Sequence, residues 1–213
     1  MKRMIIWCLI FLSISGVHSQ LDSIGFVSID CGYPDNSTYV DSTTGITYTS
    51  DTLFIDTGAN YDTSAEYRGA SLSKIYLNVR SFETGTRNCY TLKSLTKGLK
   101  YLIRASFLYG NYDRLNDLVT FDLYIGVNYW KTVNVSDPAS TIVAEVITVI
   151  QDDYIQVCLV NTGMGTPFIS GLELRPINYG LYPAANKNQS IVLHNRVNAG
   201  PIDNGVMRKI RLR

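Results

Sequence analysis

YLIRASFLY, residues 101–109, is the stretch that decides the fold of this chain. A half-buried β-strand directs successive side chains to opposite faces, one toward the core and the other toward water. The stretch therefore predicts a strand with one buried and one solvated face. Its two alternating sets are Tyr101, Ile103, Ala105, Phe107 and Tyr109 on one side, and Leu102, Arg104, Ser106 and Leu108 on the other.

The same period of two recurs along the chain, with glycine, asparagine, aspartate and proline between the segments. Residues 141–150 are long enough for a helix, but their β-branched content favours a strand. Eight or more short strands predict an all-β fold, an antiparallel β-sandwich or jelly roll. The predicted strands beyond 101–109 lie at 26–30, 74–79, 119–125, 141–150, 155–160 and 168–175.

Residues 1–19 have the features of a cleavable secretory signal peptide. Lys2 and Arg3 form a basic start, an apolar run follows, and Ser19 precedes the predicted cleavage site. The run is shorter than the roughly 20 apolar residues of a membrane-spanning helix. The alternative is an uncleaved anchor or a buried first element. We predict that the mature chain enters the secretory pathway and functions outside the cytoplasm.

The charge balance of the chain argues against nucleic acid as a partner. The 213 residues include 19 basic and 18 acidic residues, and loss of Lys2 and Arg3 with the leader leaves 17 basic residues. A basic tail accounts for four of these, so 13 basic residues face 18 acidic ones in the rest of the mature chain. Such a body lacks the cationic face that nucleic acid requires. The tail residues are Arg208, Lys209, Arg211 and Arg213.

Three cysteines remain once Cys8 leaves with the leader, and their spacing suits no zinc site. An odd number in a secreted chain indicates one disulfide with one thiol, or a missing partner. We favour a disulfide between Cys89 and Cys158, because both lie in strand-like stretches that a sheet can bring together. The pairings that involve Cys31 stay open as alternatives.

Three sequons fit the acceptor pattern for N-glycosylation, at Asn36, Asn134 and Asn188. Together they agree with an exported chain and predict three surface positions. The set therefore predicts a glycoprotein.

The sequence predicts no cofactor and no metal. Residues 163–168 contain a Gly-x-Gly pattern, but the third glycine and the following helix of a dinucleotide site are missing. A tight turn is therefore the favoured interpretation. Asp152 and Asp153 provide too few oxygen ligands for the cage that calcium prefers.

Catalysis is also poorly supported. His194 is the only histidine after removal of the leader, and the motifs of serine hydrolases and zinc proteases are absent from the sequence. A glycosidase needs a pair of carboxylates. Alternation places most acidic side chains on solvent faces, so we predict that the chain is not an enzyme. The acidic residues considered are Asp113, Asp122, Glu145 and Glu173.

Several short sequence blocks occur in one order between residues 26 and 176. They are FVSIDCG (26–32), YTSD (48–51), RSF (80–82), GTRNCY (85–90), YLIRA (101–105), YGNYD (109–113), FDL (121–123), GVN (126–128), VCLVNTG (157–163), GTPFIS (165–170) and LELRP (172–176). In this order the blocks resemble the malectin-like ectodomain of plant receptor-like kinases, particularly those that also carry leucine-rich repeats.

The resemblance implies a β-sandwich related to malectin, an animal lectin that binds a glucose disaccharide. The plant family usually carries two such lobes, followed by repeats, a membrane span and a cytoplasmic kinase. We therefore expect one malectin-like lobe at 24–177, a linker at 178–190, and the truncated start of a second lobe with the basic tail at 191–213. A truncated gene product, a splice form or a secreted decoy would each account for this length.

Sugar recognition requires flat aromatic faces and a few polar groups, and two stretches supply both. The first, residues 109–113, lies where a predicted strand runs into a loop. The second comprises Tyr61-Asp62 and Tyr67-Arg68, in an apparently long connection, where Asp62 and Arg68 add charge to the two tyrosines. The alternative is that Tyr109, in phase with Phe107, belongs to the core. The candidate ligand-binding residues are Tyr61, Tyr67, Tyr109, Asn111, Tyr112 and Asp113.

These observations predict a non-catalytic extracellular recognition module of a receptor-kinase-like protein. Its partner would be a cell-wall carbohydrate or a protein or peptide ligand, and an association with a membrane receptor kinase is also expected. It would lie in the cell-wall space, or at the plasma membrane if the product continues into a membrane span. The alternative is a truncated or secreted fragment that has no ligand of its own and pairs with a full-length receptor.

Overall fold

The computed structural model describes residues 25–34, 36–194 and 196, and in these ranges all regular structure except two short 3-10 turns is β-strand. The predicted leader and tail lie outside the described residues. The all-β prediction is confirmed. The strands are β1 Val27–Asp30, β2 Thr38–Val40, β3 Thr47–Ser50, β4 Ala59–Asp62, β5 Asn78–Ser81, β6 Arg87–Leu92, β7 Lys100–Leu108, β8 Val119–Ile125, β9 Asn128–Val135, β10 Thr141–Val149, β11 Ile155–Met164, β12 Phe168–Ile169, β13 Gly171–Ile177 and β14 Ile191–Leu193.

The strands form two main layers and one small sheet. The large sheet has seven strands in the order β14-β10-β7-β13-β1-β3-β2. The second layer has four, in the order β6-β11-β8-β9, and the small sheet has three, in the order β12-β5-β4. Neighbouring strands are antiparallel except β1 and β3, which pair in parallel. The architecture is therefore a β-sandwich, as the alternating pattern predicted.

The main core lies between the two layers and is held by aromatic contacts. Phe107 of β7 meets Phe121 of β8 with ring centroids 5.7 Å apart. Phe168 of β12 packs against both rings, at 6.2 and 5.8 Å. Rings at these spacings and steep angles contribute beyond their buried area. The inward set of residues 101–109 is buried in this core, as expected.

The outer face of β7 is also covered, so the prediction of a solvated face is wrong. Leu102 packs in a second cluster with Ile147 and Ile177. Leu108 packs in a third cluster with Tyr48 of β3 and with Tyr76, which precedes β5. Segments remote in sequence cover this face, and period-two alternation carries no information about such cover. Residues 168–175 are buried on both faces as well.

The strand predicted at 74–79 is wrong in its first half. Lys74–Tyr76 forms a 3-10 turn, and β5 begins only at Asn78. The turn directs Ile75 and Tyr76 onto the outer face of the large sheet, where both are buried. Burial by a tight turn therefore prevails over the strand propensity of this stretch. The strand predicted at 141–150 is confirmed as β10.

The stretch predicted as a linker lies against the large sheet. Lys100 is 2% exposed, and its Nζ donates to the carbonyls of Tyr179, Leu181 and Tyr182 at 3.2, 2.7 and 2.9 Å. Beyond it, β14 pairs with β10 at the edge of the same sheet. The strand that we expected to open a second lobe thus extends the sheet of the first. The division at 178–190 and 191–213 stays a prediction.

Cys89 and Cys158 form the disulfide that the sequence favoured. They face each other across β6 and β11, in register in the four-stranded sheet. Cys31 is buried as a free thiol at the end of β1. Burial raises the pKa of this thiol well above its ordinary value, so it stays protonated.

Candidate functional site

The 109–118 loop follows β7 and carries most of the residues that the sequence singled out. Gly110 and Asn111 have positive φ angles of 49° and 46°, which turn the chain sharply away from the sheet. A Cβ at Gly110 would lie 2.7 Å from the Cβ of Thr63, so only glycine fits there. Backbone bonds of 2.8 Å from Ser64 and 2.9 Å to Pro138 hold this glycine in place.

Tyr109 and Tyr112 are part of the core, with exposures of 1% and 7%. Their rings lie 5.8 and 5.4 Å from the ring of Phe168. The hydroxyl of Tyr109 donates to Asp113, and that of Tyr112 is 2.9 Å from Ser81 Oγ. Burial raises the pKa of both phenols. Their ring faces are thus not open to a sugar, which corrects the expectation that they stack on a ligand.

Three other candidates lie around these two tyrosines and are partly exposed. Tyr61 has its ring 5.5 Å from that of Tyr112 and donates its hydroxyl to Glu83. The side-chain oxygen of Asn111 accepts a hydrogen bond of 2.9 Å from the backbone N–H of Asn116. Asp113 accepts a second bond of 3.1 Å, from the amide of Leu115. The structure therefore brings these three side chains together, but internal bonds already engage them.

Tyr67 lies on the neighbouring 3-10 turn, Ala65–Tyr67, and is half-buried. The turn is attached to the 109–118 loop, because Ser64 Oγ donates to the carbonyl of Asn111 at 3.0 Å. Arg68 donates to the carbonyl of Thr63 at 2.8 Å and pairs with Asp62 at 3.4 Å. These bonds give the long connection a defined path beside the loop.

The loop exposes two leucines that the sequence reasoning missed. Leu115 and Leu118 are 63% and 70% exposed. Met164 of β11 is 55% exposed and pairs with Thr120, two residues along from Leu118. We call Leu115, Leu118 and Met164 the leucine patch. The available signal was Leu118 directly before the buried Val119, because alternation directs adjacent side chains to opposite faces.

Glu145 and Glu173, which we expected on solvent faces, are buried on the outer face of the large sheet, with exposures of 8% and 4%. Arg104 lies between them, with Nε 2.6 Å from Glu145 and Nη1 3.1 Å from Glu173. A groove of about 300 Å³ runs beside this row. The sequence signal was a lone arginine in the middle of an apolar strand.

A second pair of buried acids joins the small sheet to the large one. Asp51 receives a bidentate pair from Arg80, at 2.6 and 2.7 Å. Asp30 accepts from the Tyr39 hydroxyl and the Asn78 amide, both at 2.7 Å. Burial raises the pKa of Asp30 from 3.8 to about 7. These bonds hold segments together, and within 25–34, 36–194 and 196 no group of acids, histidines and cysteines is arranged to hold a metal.

The protein is a β-sandwich, and most of its candidate residues lie on the loop that follows β7, a position where binding residues often occur. Residues 29–211 match the family profile described as the malectin-like domain. The chain therefore belongs to the malectin-like domain family, as the ordered blocks of its sequence suggested.

The chain is similar to parts of plant receptor kinases. A putative leucine-rich repeat receptor-like protein kinase of Arabidopsis thaliana is 43% identical over 180 residues, which is 84% of this chain and 20% of that protein. A probable receptor-like serine/threonine-protein kinase of the same species and class is 50% identical over 155 residues, or 72% of this chain and 18% of that protein. The chain thus spans about a fifth of the length of these relatives.

Solved ectodomains share the fold. The ANX2 ectodomain of Arabidopsis thaliana matches 72% of this chain and 42% of its own, with a TM-score of 0.62 and 20% identity. A chain in the crystal structure of the plant peptide RALF23 in complex with FER and LLG2 also matches, with a TM-score of 0.56 and 16% identity, over 71% of this chain and 40% of that one.

In the ranges that the structure describes, no helix is long and apolar enough to cross a bilayer.

Proposed function

We propose that this chain is a non-catalytic extracellular recognition module that binds a protein or peptide partner through the leucine patch. The carrying observation is the contrast within one loop. Its tyrosines are buried with their hydroxyls bonded, whereas Leu115 and Leu118 are 63% and 70% exposed. Exposed aliphatic side chains suit the apolar contacts of a protein interface. A pyranose ring would instead need an open aromatic face.

The surroundings of the patch support the same class of ligand. Arg114 and Asp117 are exposed beside the leucines, so apolar contact area is bordered by charges of both signs. This arrangement is common at protein interfaces, where a polar rim surrounds apolar anchors. A protein of the same fold takes part in a complex with a plant peptide, which makes a peptide the first ligand to test.

An extracellular site of action agrees with the receptor-kinase relatives and with the predicted leader. The three sequon asparagines, Asn36, Asn134 and Asn188, are all exposed. We propose that each carries a glycan in the secreted product. Deglycosylation followed by mass determination of the tryptic peptides tests this directly.

The test of function compares peptide and glycan binding by the secreted protein. The probes are a library of synthetic secreted plant peptides, RALF23 included, and a glycan array. We expect binding of a peptide, and Leu115→Asp and Leu118→Asp should each weaken it about tenfold or more. Val127→Asp, at an 86% exposed position in the β8–β9 turn, is the matched control and should bind as the wild type does.

Two outcomes would contradict the proposal. Glycan binding without any peptide binding would favour the carbohydrate alternative. Co-purification with a full-length receptor kinase, without peptide binding and unchanged by Leu115→Asp, would favour the alternative that the chain only pairs with a receptor.

A further inference from the structure

We propose that Glu145 forms a guanidinium-binding site on the outer face of the large sheet, which Arg196 fills in this chain and which accepts an arginine side chain of a partner protein. The site is separate from the leucine patch and goes beyond the function proposed for it. It rests on the buried row of charges that crosses β10, β7 and β13.

The register of the strands builds this row. Glu145 pairs across β10 and β7 with Arg104, which pairs across β7 and β13 with Glu173. One guanidinium therefore lies between two carboxylates on adjacent strands. Alternating charges in such a row stabilise one another only if each oxygen and each N–H has a partner.

Glu173 has its partners within the folded sheet. Its Oε2 accepts a hydrogen bond from Arg104 Nη1 at 3.1 Å and forms an ion pair with Arg175 Nη2 at 3.6 Å, and its Oε1 accepts a hydrogen bond from the hydroxyl of Tyr48. Arg175 is itself 5% exposed and donates to the carbonyls of Val27 and Leu174. This end of the row is closed by groups that belong to strands.

Glu145 is bound differently, because half of its partners come from outside the strands. Its Oε1 receives Arg104 Nε at 2.6 Å. Arg196 then spans both oxygens, with Nη2 2.7 Å from Oε1 and Nε 2.7 Å from Oε2. This two-bond fork is the geometry by which arginine recognises a carboxylate. Arg196 lies past the end of β14, and its side chain is 29% exposed.

Removal of Arg196 would leave Oε2 of Glu145 without its hydrogen-bond donor at a position that is only 8% exposed. A buried carboxylate oxygen without a donor is unfavourable, and a second guanidinium satisfies it. The groove of about 300 Å³ beside Glu145 provides room for that side chain. Its apolar lining, Ile75, Val143 and Leu193, suits the methylene stem of an arginine.

The site therefore selects arginine over lysine. The arginine of a partner competes for it with Arg196 of this chain. An ammonium group makes single bonds and cannot reproduce the planar fork. In the wild type a partner must displace Arg196, which is held at a high effective concentration. The free site is exposed by Arg196→Gln.

The experiment measures binding of N-acetyl-arginine amide by NMR titration of the full chain. Arg196→Gln should bind it at least about tenfold more tightly than the wild type, and more tightly than it binds N-acetyl-lysine amide. Arg196→Gln combined with Glu145→Gln should lose this gain. Arg196→Gln combined with Glu66→Gln, which neutralises an exposed acid on the 3-10 turn, is the control and should keep it.

If Glu145→Gln impairs folding, the double variant cannot be used. The residues whose NMR signals shift when Arg196→Gln binds the probe then locate the site. When N-acetyl-arginine amide is added to Arg196→Gln, the NMR signals of Arg104, Glu145 and Leu193 should shift and those of Leu115 and Leu118 should stay unchanged. Equal affinity of wild type and Arg196→Gln, or shifts confined to the leucine patch, would overturn the proposal. Leu115→Asp should not change arginine binding, so failure of this site and failure of the leucine patch are distinguishable.

Discussion

Asp30 is the residue whose ionisation should control the pH dependence of stability. It is fully buried, and its pKa rises from 3.8 to about 7 because burial disfavours the charged form. In the unfolded chain the carboxyl ionises near its ordinary pKa, so between these values the folded state holds the proton more tightly. The stabilisation is complete below 3.8 and is lost as the pH rises through 7.

We therefore expect the wild type to lose up to about 4 kcal/mol of unfolding free energy between pH values of about 4 and 7.5 from this group. Asp30→Asn cannot ionise and should show a flatter profile. Urea unfolding across this pH range measures the difference. Asp62→Asn, at an exposed carboxylate, is the control. Identical pH slopes for the wild type and Asp30→Asn would show that Asp30 is ionised in the folded state.

Tyr109 and Tyr112 should affect stability before they affect binding. Truncation of either ring to alanine leaves a cavity beside Phe168 and should cost about 3–5 kcal/mol. Tyr112→Phe keeps the ring and loses only the bond to Ser81, at a cost of about 1 kcal/mol. Thermal and urea unfolding give these values. A stable, cooperatively folded Tyr109→Ala variant would argue against a core role.

Among the secondary-structure elements, the segment 178–193 is held on the large sheet by Lys100. Lys100→Met removes three charge-assisted bonds to carbonyls, and we expect a loss of about 3 kcal/mol. Amide hydrogen exchange over 178–193 should accelerate in parallel, because β14 follows this segment. Lys97→Met, at an exposed position, is the control. Unchanged exchange in this segment would mean that apolar packing alone holds it.

Period-two alternation predicted the strands themselves well and their environment poorly. β7, β8, β10 and β11 occur where the pattern placed them, because pleating and β-branched side chains act locally. The solvated faces expected for Arg104 and Glu173 are covered, because the 3-10 turn at Lys74–Tyr76 and the segment after β13 return to the sheet. Such returns are long-range contacts, which a local pattern does not encode.

The whole sandwich should depend on the disulfide between Cys89 and Cys158. The two cysteines are 69 residues apart, and the loop between them contains strands of both main layers. Closing a loop of this length restricts the unfolded chain and stabilises the fold by about 4 kcal/mol. Cys89→Ser combined with Cys158→Ser should lose about this much in urea unfolding. A wild type equally stable with and without reductant would show that the disulfide adds nothing.

The sequence alone determined the fold class, the family and the favoured cysteine pair, because alternation, ordered motifs and strand-like context are local properties. Only the tertiary structure decided which polar and aromatic side chains are available to a partner. Tyr109 and Tyr112 are engaged in the core, whereas Leu115 and Leu118 are exposed. Glu145 meets Arg196 through a pairing of β10 and β14. Availability depends on which segments pack over a side chain, and that is a property of the folded whole.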